Sequence, residues 1–229
     1  MAGGQIGERP GASEMQGVRR TDVLKASPPM FDSRLLDFFS RVHPSVPVFI
    51  FVPAIVAMEV WSLSKVYVLA SIGLFAGGYM LWTLFEYWLH RLIFHFEPQD
   101  GIGARLHWII HGVHHDHPND PLRLVMPPAV SVPLAAIVFG VMWLVLGDSY
   151  APGLASGFFA GYLVYDMLHY ALHHAVPSSR LGKALRERHM RHHFQDDTKG
   201  FGISAPYWDE VFRTSPTGSE HTQGNAGQR

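Results

Sequence analysis

The sequence predicts an all-α integral membrane protein with four transmembrane helices and a histidine array gathered at one membrane face. Three observations carry that expectation. A chain of 229 residues holds four long apolar blocks, ten of its 15 histidines fall into four short clusters, and its Lys and Arg residues are concentrated in alternate connecting segments. Hydrophobic residues make up 48% and charged residues only 16%, the latter below the quarter typical of soluble domains. Mean hydropathy is barely positive, so the apolar residues are sorted into blocks rather than spread.

Taken in order, residues 1–42 read as a disordered or amphipathic cytoplasmic leader. Its first part is rich in Gly, Ser, Pro and charge and shows no cleavable signal peptide. Residues 43–214 form one domain, since the length leaves little room for a second. Within it, residues 46–61 are the first apolar block, interrupted by Pro47, Pro53 and Glu59. Residues 66–89, 126–146 and 153–176 each reach the ~20 residues a bilayer crossing needs. A soluble bundle with buried helices is the alternative, but four such blocks rich in Gly, Trp and Phe favour the membrane. The tail, 215–229, reads as disordered.

Orientation follows from the basic residues. Arg9, Arg19, Arg20, Lys25, Arg34 and Arg41 precede the first block, whereas Lys65 alone lies in the next turn. The turn at 147–152 has none, the central loop has Arg91, Arg105 and Arg123, and eight more follow Val176. Cytoplasmic loops carry the excess of Lys and Arg, so both termini and the central loop are expected in the cytoplasm of a multi-pass protein. A net charge of −1 argues against a nucleic-acid partner.

The histidine clusters are His90 and His95 in HRLIFH, His111, His114 and His115 in HGVHH, His169 and His173 in HYALH, and His189, His192 and His193 in HMRHH. Two crossings separate the second cluster from the third, so all four return to one face. Imidazole is the commonest metal-binding side chain, and the chain has no cysteine, so any metal must be held by nitrogen and oxygen. Spacings of i, i+3 and i, i+4 put two or three rings on one helix face. His90 and His95 are five apart, about 140° round an α-helix, and converge only if the helix end is distorted or they bind different ions. Ten nitrogens exceed what one ion takes, so two metals are the economical reading.

Around them, His107 is expected to orient or pack rather than ligate, and His117 and His174 to orient ligands or face solvent. His43 and His221 receive no role. Glu86 and Asp166 are expected to orient imidazoles as hydrogen-bond acceptors, with Asp116 also nearby. Phe94, Trp108, Tyr170 and Phe201 are candidate linings of a substrate tunnel. Gly200, Phe201 and Gly202 are expected to form a tight loop near the site.

HRLIFH, HGVHH followed by RLVMPP, YDMLHYALHH, and HMRHHF leading to GFGIS and YWDEVFRT together resemble the fatty acid 2-hydroxylase branch of the fatty acid hydroxylase and sterol desaturase superfamily. The resemblance runs from Glu86 to Thr214. It implies four spans with a cytosolic helical cap holding a histidine-rich di-metal centre. It further implies an O2-dependent di-iron monooxygenase that hydroxylates carbon 2 of long fatty acyl groups, free or sphingolipid-linked. Iron is the expected working metal and zinc a possible occupant without redox chemistry. The ligands carried over are His90, His95, His111, His114, His115, His169, His173, His189, His192 and His193. No other side chain is implied as catalytic.

Eukaryotic relatives commonly carry an N-terminal cytochrome b-type domain, and this leader is too short to be one. Electrons are therefore expected from a separate ferredoxin or cytochrome and reductase, as in a bacterial member of the inner membrane. The rival readings are a sterol or carotenoid hydroxylase or desaturase, a histidine-rich metal transporter or sensor, and a structural zinc protein. Transporters place ligands at the bilayer midplane, whereas these histidines lie at and beyond one face.

Overall fold

The computed structural model describes residues 19–216. The unlabelled first part of the leader, 1–18, and His221 with the rest of the tail beyond 216 lie outside the described residues. Among the described residues all regular secondary structure is helical. Two short helices come first, α1 (Arg20–Leu24) and α2 (Arg34–Phe39), where the sequence suggested part of a disordered or amphipathic leader. They are docked by polar contacts: Asn119 N–H donates to the Leu24 carbonyl at 2.9 Å, and the Val23 carbonyl accepts from His117 Nδ1 at 2.6 Å.

The apolar helices α3 (Ser45–Lys65) and α4 (Val68–Leu89) follow, joined only by Val66 and Tyr67, so they run antiparallel. After a π-helical turn, His90–Phe94, come α5 (Gly101–His107), a second π-helical turn, Trp108–Gly112, and α6 (Val113–Asp116). The longest element is α7 (Pro128–His174), and α8 (Arg180–Phe194) and α9 (Tyr207–Val211) close the chain.

By length and composition, three helices suffice to cross a membrane: Ser45–Lys65, Val68–Phe94 and Pro128–His174. The sequence predicted four, with a loop at 147–152. Instead, α7 is broken at Gly147 alone, whose φ of 70° is open to glycine and costly for other residues. The break is a reversal. The Ser131 and Tyr162 hydroxyls are hydrogen-bonded, yet on a straight helix they would stand roughly 46 Å apart. Leu134 and Val138 likewise share a small cavity with Phe158 and Phe159. The two halves of α7 therefore fold back alongside each other.

Aromatic residues fill the space between α3, α4 and α7. Trp82 meets Phe158 edge-on at 5.2 Å and Tyr162 at 5.4 Å, and Phe51 meets Tyr162 at 4.8 Å. Little of each apolar window is buried, 17%, 22% and 11% for the three candidate spans, so most of their apolar surface faces outward, as lipid contact requires. At the end away from the histidines, Glu59 of α3 accepts from Ser71 at 2.7 Å and Ser156 at 2.6 Å, and Lys65 pairs with Asp148 at 2.6 Å. The carboxylate inside an apolar helix is thus matched by hydroxyls of both neighbouring helices.

Where α4 meets α7, the backbones touch. A Cβ on Gly157 would lie 1.9 Å from the Phe75 carbonyl oxygen, and one on Gly78 1.9 Å from that of Leu154. Small residues permit this approach where no solvent drives helices together. Gly157→Val is therefore expected to separate the helices and cost at least ~3 kcal/mol, at the upper end for overpacking. Thermal unfolding in detergent would show it as a large loss of melting temperature, while Gly140→Ala, in open space, would leave it unchanged.

Candidate metal centre

The π-helical turn after α4 resolves the awkward spacing of His90 and His95. His95 N–H donates to the His90 carbonyl at 3.2 Å, an i→i+5 bond that widens the turn. Both rings then face the same way, with Nε2 atoms 3.2 Å apart. Helix distortion, rather than binding to different ions, brings them together. The second π-helical turn ends as HGVHH begins, and sets His111 against His115 with Nε2 atoms 3.0 Å apart.

The ten histidines form two groups of five. His90, His95, His111, His115 and His192 make one, and His114, His169, His173, His189 and His193 the other. Within each group one nitrogen from every ring lies within 4.8 Å of all the others, a set able to hold a metal ion. The sequence clusters are split between them. Residues four apart on a helix differ by only about 40°, and pairs at that spacing stay together: His111 with His115, His169 with His173, His189 with His193. The third member of a triplet leans to the other side, so His114 leaves HGVHH for the second group and His192 leaves HMRHH for the first. The i, i+3 and i, i+4 neighbours that share one broad helix face thus diverge enough to be sorted between the two groups.

The donor set fits metal ions. An ion about 2.1 Å from each imidazole nitrogen spaces adjacent ligands roughly 3.0 Å apart in an octahedral set and roughly 3.4 Å in a tetrahedral one. The nearest Nε2 pairs stand 2.7–3.2 Å apart, from His173 and His189 at 2.7 Å to His90 and His95 at 3.2 Å. The buried Nε2 of His169, in the second group, has no hydrogen-bond partner, a costly state unless something else binds it. Burial, with the neighbouring imidazoles adding to it, holds His111, His114, His189 and His193 well below the ordinary imidazole range and His95 down to about 3. Neutral rings with free lone pairs are the form that binds metals.

Backbone carbonyls orient the rings. The Phe201 carbonyl accepts from His90 Nδ1 at 2.8 Å and the Lys199 carbonyl from His192 Nδ1 at 2.7 Å, so each ring turns Nε2 toward the centre. The Phe201 carbonyl belongs to the GFGIS loop, and Lys199 directly precedes it. Gly200 adopts φ 81°, and Phe201 is buried against the rings of His90, His95 and His192.

Two carboxylates hold that loop. Asp209, fully buried, accepts from Phe201 N–H at 2.9 Å, Gly202 N–H at 3.1 Å and the Thr214 hydroxyl at 2.8 Å. Its burial raises its pKa, partly offset by those donors. Sequence reasoning missed it, since an acid in the first turn of YWDEV looks like an ordinary helix start; its place eight residues after Phe201 was the available signal. Glu86 accepts from Ser204 N–H at 2.8 Å and from the Ser204 hydroxyl. Glu86 therefore positions the loop and touches no imidazole directly, contrary to expectation. Asp166 also meets no ring nitrogen: it takes the Tyr162 hydroxyl at 3.5 Å and the Met126 backbone.

Of the other candidates, His107 Nε2 donates to the Phe94 carbonyl at 2.6 Å and lies outside both groups. His174 stacks on Tyr170 at 4.4 Å. Tyr170 lines neither cavity beside the histidines, because its ring points to His174 instead. Those cavities differ in character. One, of about 270 Å³, is walled mostly by apolar side chains including Phe94, Val125, Met126 and Tyr165, and reaches His111, His114 and His169. The other, of about 380 Å³, is bordered by Glu97, Gln99, His107, Trp108, Asp116 and Asp197, and reaches His95, His111 and His115.

Residues 75–214 match the family model described as fatty acid hydroxylase. The chain is 36% identical over 208 residues to a dihydroceramide fatty acyl 2-hydroxylase of Arabidopsis thaliana, covering 90% of this chain and 87% of the relative. It is 36% identical over 211 residues to the fatty acid 2-hydroxylase of Rattus norvegicus, covering 81% of this chain and 56% of that one. Among solved structures it resembles full-length scs7p, of which only the hydroxylase domain is visible, with a TM-score of 0.76, 34% identity, and 80% and 70% of the two chains covered. With the family model matching more than half of its length and these relatives alongside, the chain belongs to the fatty acid hydroxylase family, in its fatty acid 2-hydroxylase branch.

Proposed function

We propose that this protein is a membrane monooxygenase that hydroxylates carbon 2 of long fatty acyl groups, free or sphingolipid-linked, using two iron ions held by the ten histidines. The observation that carries the reading is the pair of five-imidazole groups bordering an apolar cavity. Relatives named as acyl 2-hydroxylases support the position of attack. Five imidazoles in each group exceed the closed four-ligand sites of structural zinc, which favours a redox metal such as iron over that role. When bound, the two ions supply the reductive activation of O2 that no side chain here could perform.

The chain's own residues bind, orient and exclude. Ten ring nitrogens fix the ions, and the Phe201 and Lys199 carbonyls hold His90 and His192 in one tautomer. The apolar cavity receives the alkyl chain and keeps water from it, while the polar cavity leaves a path for protons and for electrons from a separate donor, a ferredoxin or a cytochrome with its reductase. For topology, we infer four crossings, by α3, α4 and the two halves of α7, with the histidines and both termini cytoplasmic. The reversal at Gly147 and the distribution of Lys and Arg support this.

Lipid mass spectrometry of a host that expresses the chain with a suitable reductase tests the activity. The expected result is new acyl lipid bearing one hydroxyl at carbon 2. Metal-loaded protein with working reductase and no such product overturns the reading, and a hydroxylated sterol or carotenoid in its place would give the site a different substrate.

A further inference from the structure

The apolar cavity is closed on one side by a segment the histidines do not use. Helix α2 presents three faces. Leu36, Phe39 and Ser40 line the cavity together with Met30 and Phe31. Asp37 and Arg41, one turn apart, form a polar face. Leu35 and Phe38 do not line the cavity and are 65% and 69% exposed, against 53% and 55% for Leu36 and Phe39.

No residue of α2 is buried, so apolar packing does not hold it in place. Asp37 does. Its carboxylate accepts from Met30 N–H at 2.7 Å, Arg123 at 2.8 Å and Arg41 at 3.2 Å. Arg123, with a side chain only 2% exposed, also donates to the Pro28 carbonyl and itself lines the cavity. Ile110 and Val130 also line the cavity and are exposed, the latter in the first turn of apolar α7. The exposed part of the lining is thus apolar and includes the start of a helix long and apolar enough to cross a membrane, while His111, His114 and His169 line the same cavity.

We propose that this cavity is the site for the alkyl chain of a lipid, loaded sideways from the bilayer between α2 and the start of α7, and that the Asp37–Arg123 pair sets its width by fixing α2. The inference rests on the hydroxylase reading for the identity of the chain. An apolar cavity whose exposed lining includes the start of a lipid-facing helix suits a hydrocarbon and excludes a polar substrate. Asp37 and Arg123 act on chain-length selectivity as positioning residues, through the α2 wall.

The full, metal-loaded protein in phosphatidylcholine vesicles provides the test. The chain has 0 cysteines, so single-cysteine variants report cleanly. Dihydroceramides with C16 and C24 acyl chains are the probes. Leu36→Cys is expected to lose most of its reactivity toward a membrane-permeant maleimide when either probe is present, and Leu35→Cys to keep it. Val130→Trp is expected to shift product several-fold toward the C16 chain. Asp37→Asn is expected to flatten the C16-to-C24 preference several-fold with metal content unchanged. Equal labelling at both cysteines with an unaltered chain-length profile in an active protein overturns the inference and leaves the hydroxylase reading standing. Protection of Leu36→Cys without any hydroxylated product has the opposite meaning: the alkyl site stands and the activity falls.

Discussion

In the double variant His111→Ala, His115→Ala, one ion per chain is expected to be lost readily to a chelator while the other is held as in the unaltered protein. His111→Ala with His114→Ala is expected to behave differently although all three histidines lie within one pentapeptide. That pair takes one imidazole from each group, so both ions should be weakened alike and leave in a single phase. Removing even a partner that orients a ligand costs on the order of 10–100-fold in affinity or activity, and removing the ligand itself costs at least that. Both variants are therefore expected to lose at least ~100-fold in hydroxylation. Elemental analysis after timed exposure to chelator separates them. A two-phase release from the His111, His114 variant would show that the sequence cluster, rather than the spatial group, is the binding unit.

Asp209→Ala is expected to be the most damaging substitution away from the ten histidines. It strands two buried backbone N–H groups, of Phe201 and Gly202, and leaves the Thr214 hydroxyl with the Tyr87 hydroxyl as partner. Each unsatisfied buried donor costs about 1–3 kcal/mol, so a loss of several kcal/mol in stability follows. The loop would then no longer hold the Phe201 carbonyl on His90 Nδ1, and metal affinity should fall by roughly 10–100-fold. Asp209→Asn keeps one acceptor oxygen and is expected to lose less of both. Thermal unfolding and metal titration on the same samples give the two readouts. Full metal affinity in a destabilised Asp209→Ala protein would separate the loop from the centre and refute the coupling.

Much of this was legible in the sequence because apolar blocks and histidine spacing are local patterns. The four blocks fall on three long helices, the last two on the halves of α7, and counting crossings brings HGVHH and HYALH to one end. The π-helical turns were not legible: nothing in HRLIFH marks a widened turn, and only the misfit of a five-residue spacing hinted at one. The sorting of His114 and His192 was also hidden, since about 100° separates adjacent residues and a linear reading treats them as one cluster. Glu86 and Asp166 were found as important carboxylates but given the wrong partners, because a span-end acid four residues before a histidine looks aimed at it. Ser204, which Glu86 meets, lies more than a hundred residues away. Asp209 escaped for a different reason: its partners lie close in the chain, but two of them are backbone N–H groups, which only their spacing could suggest.

His111 borders both cavities. One imidazole ring therefore stands as the septum between an oily compartment and an aqueous one. A hydrocarbon can approach the reacting centre without meeting water, and protons can approach it without crossing oil. Its integrity is also a condition for fuel economy: a breach at that ring would let reductant and oxygen be consumed with nothing hydroxylated, a leak visible as uncoupled oxygen uptake.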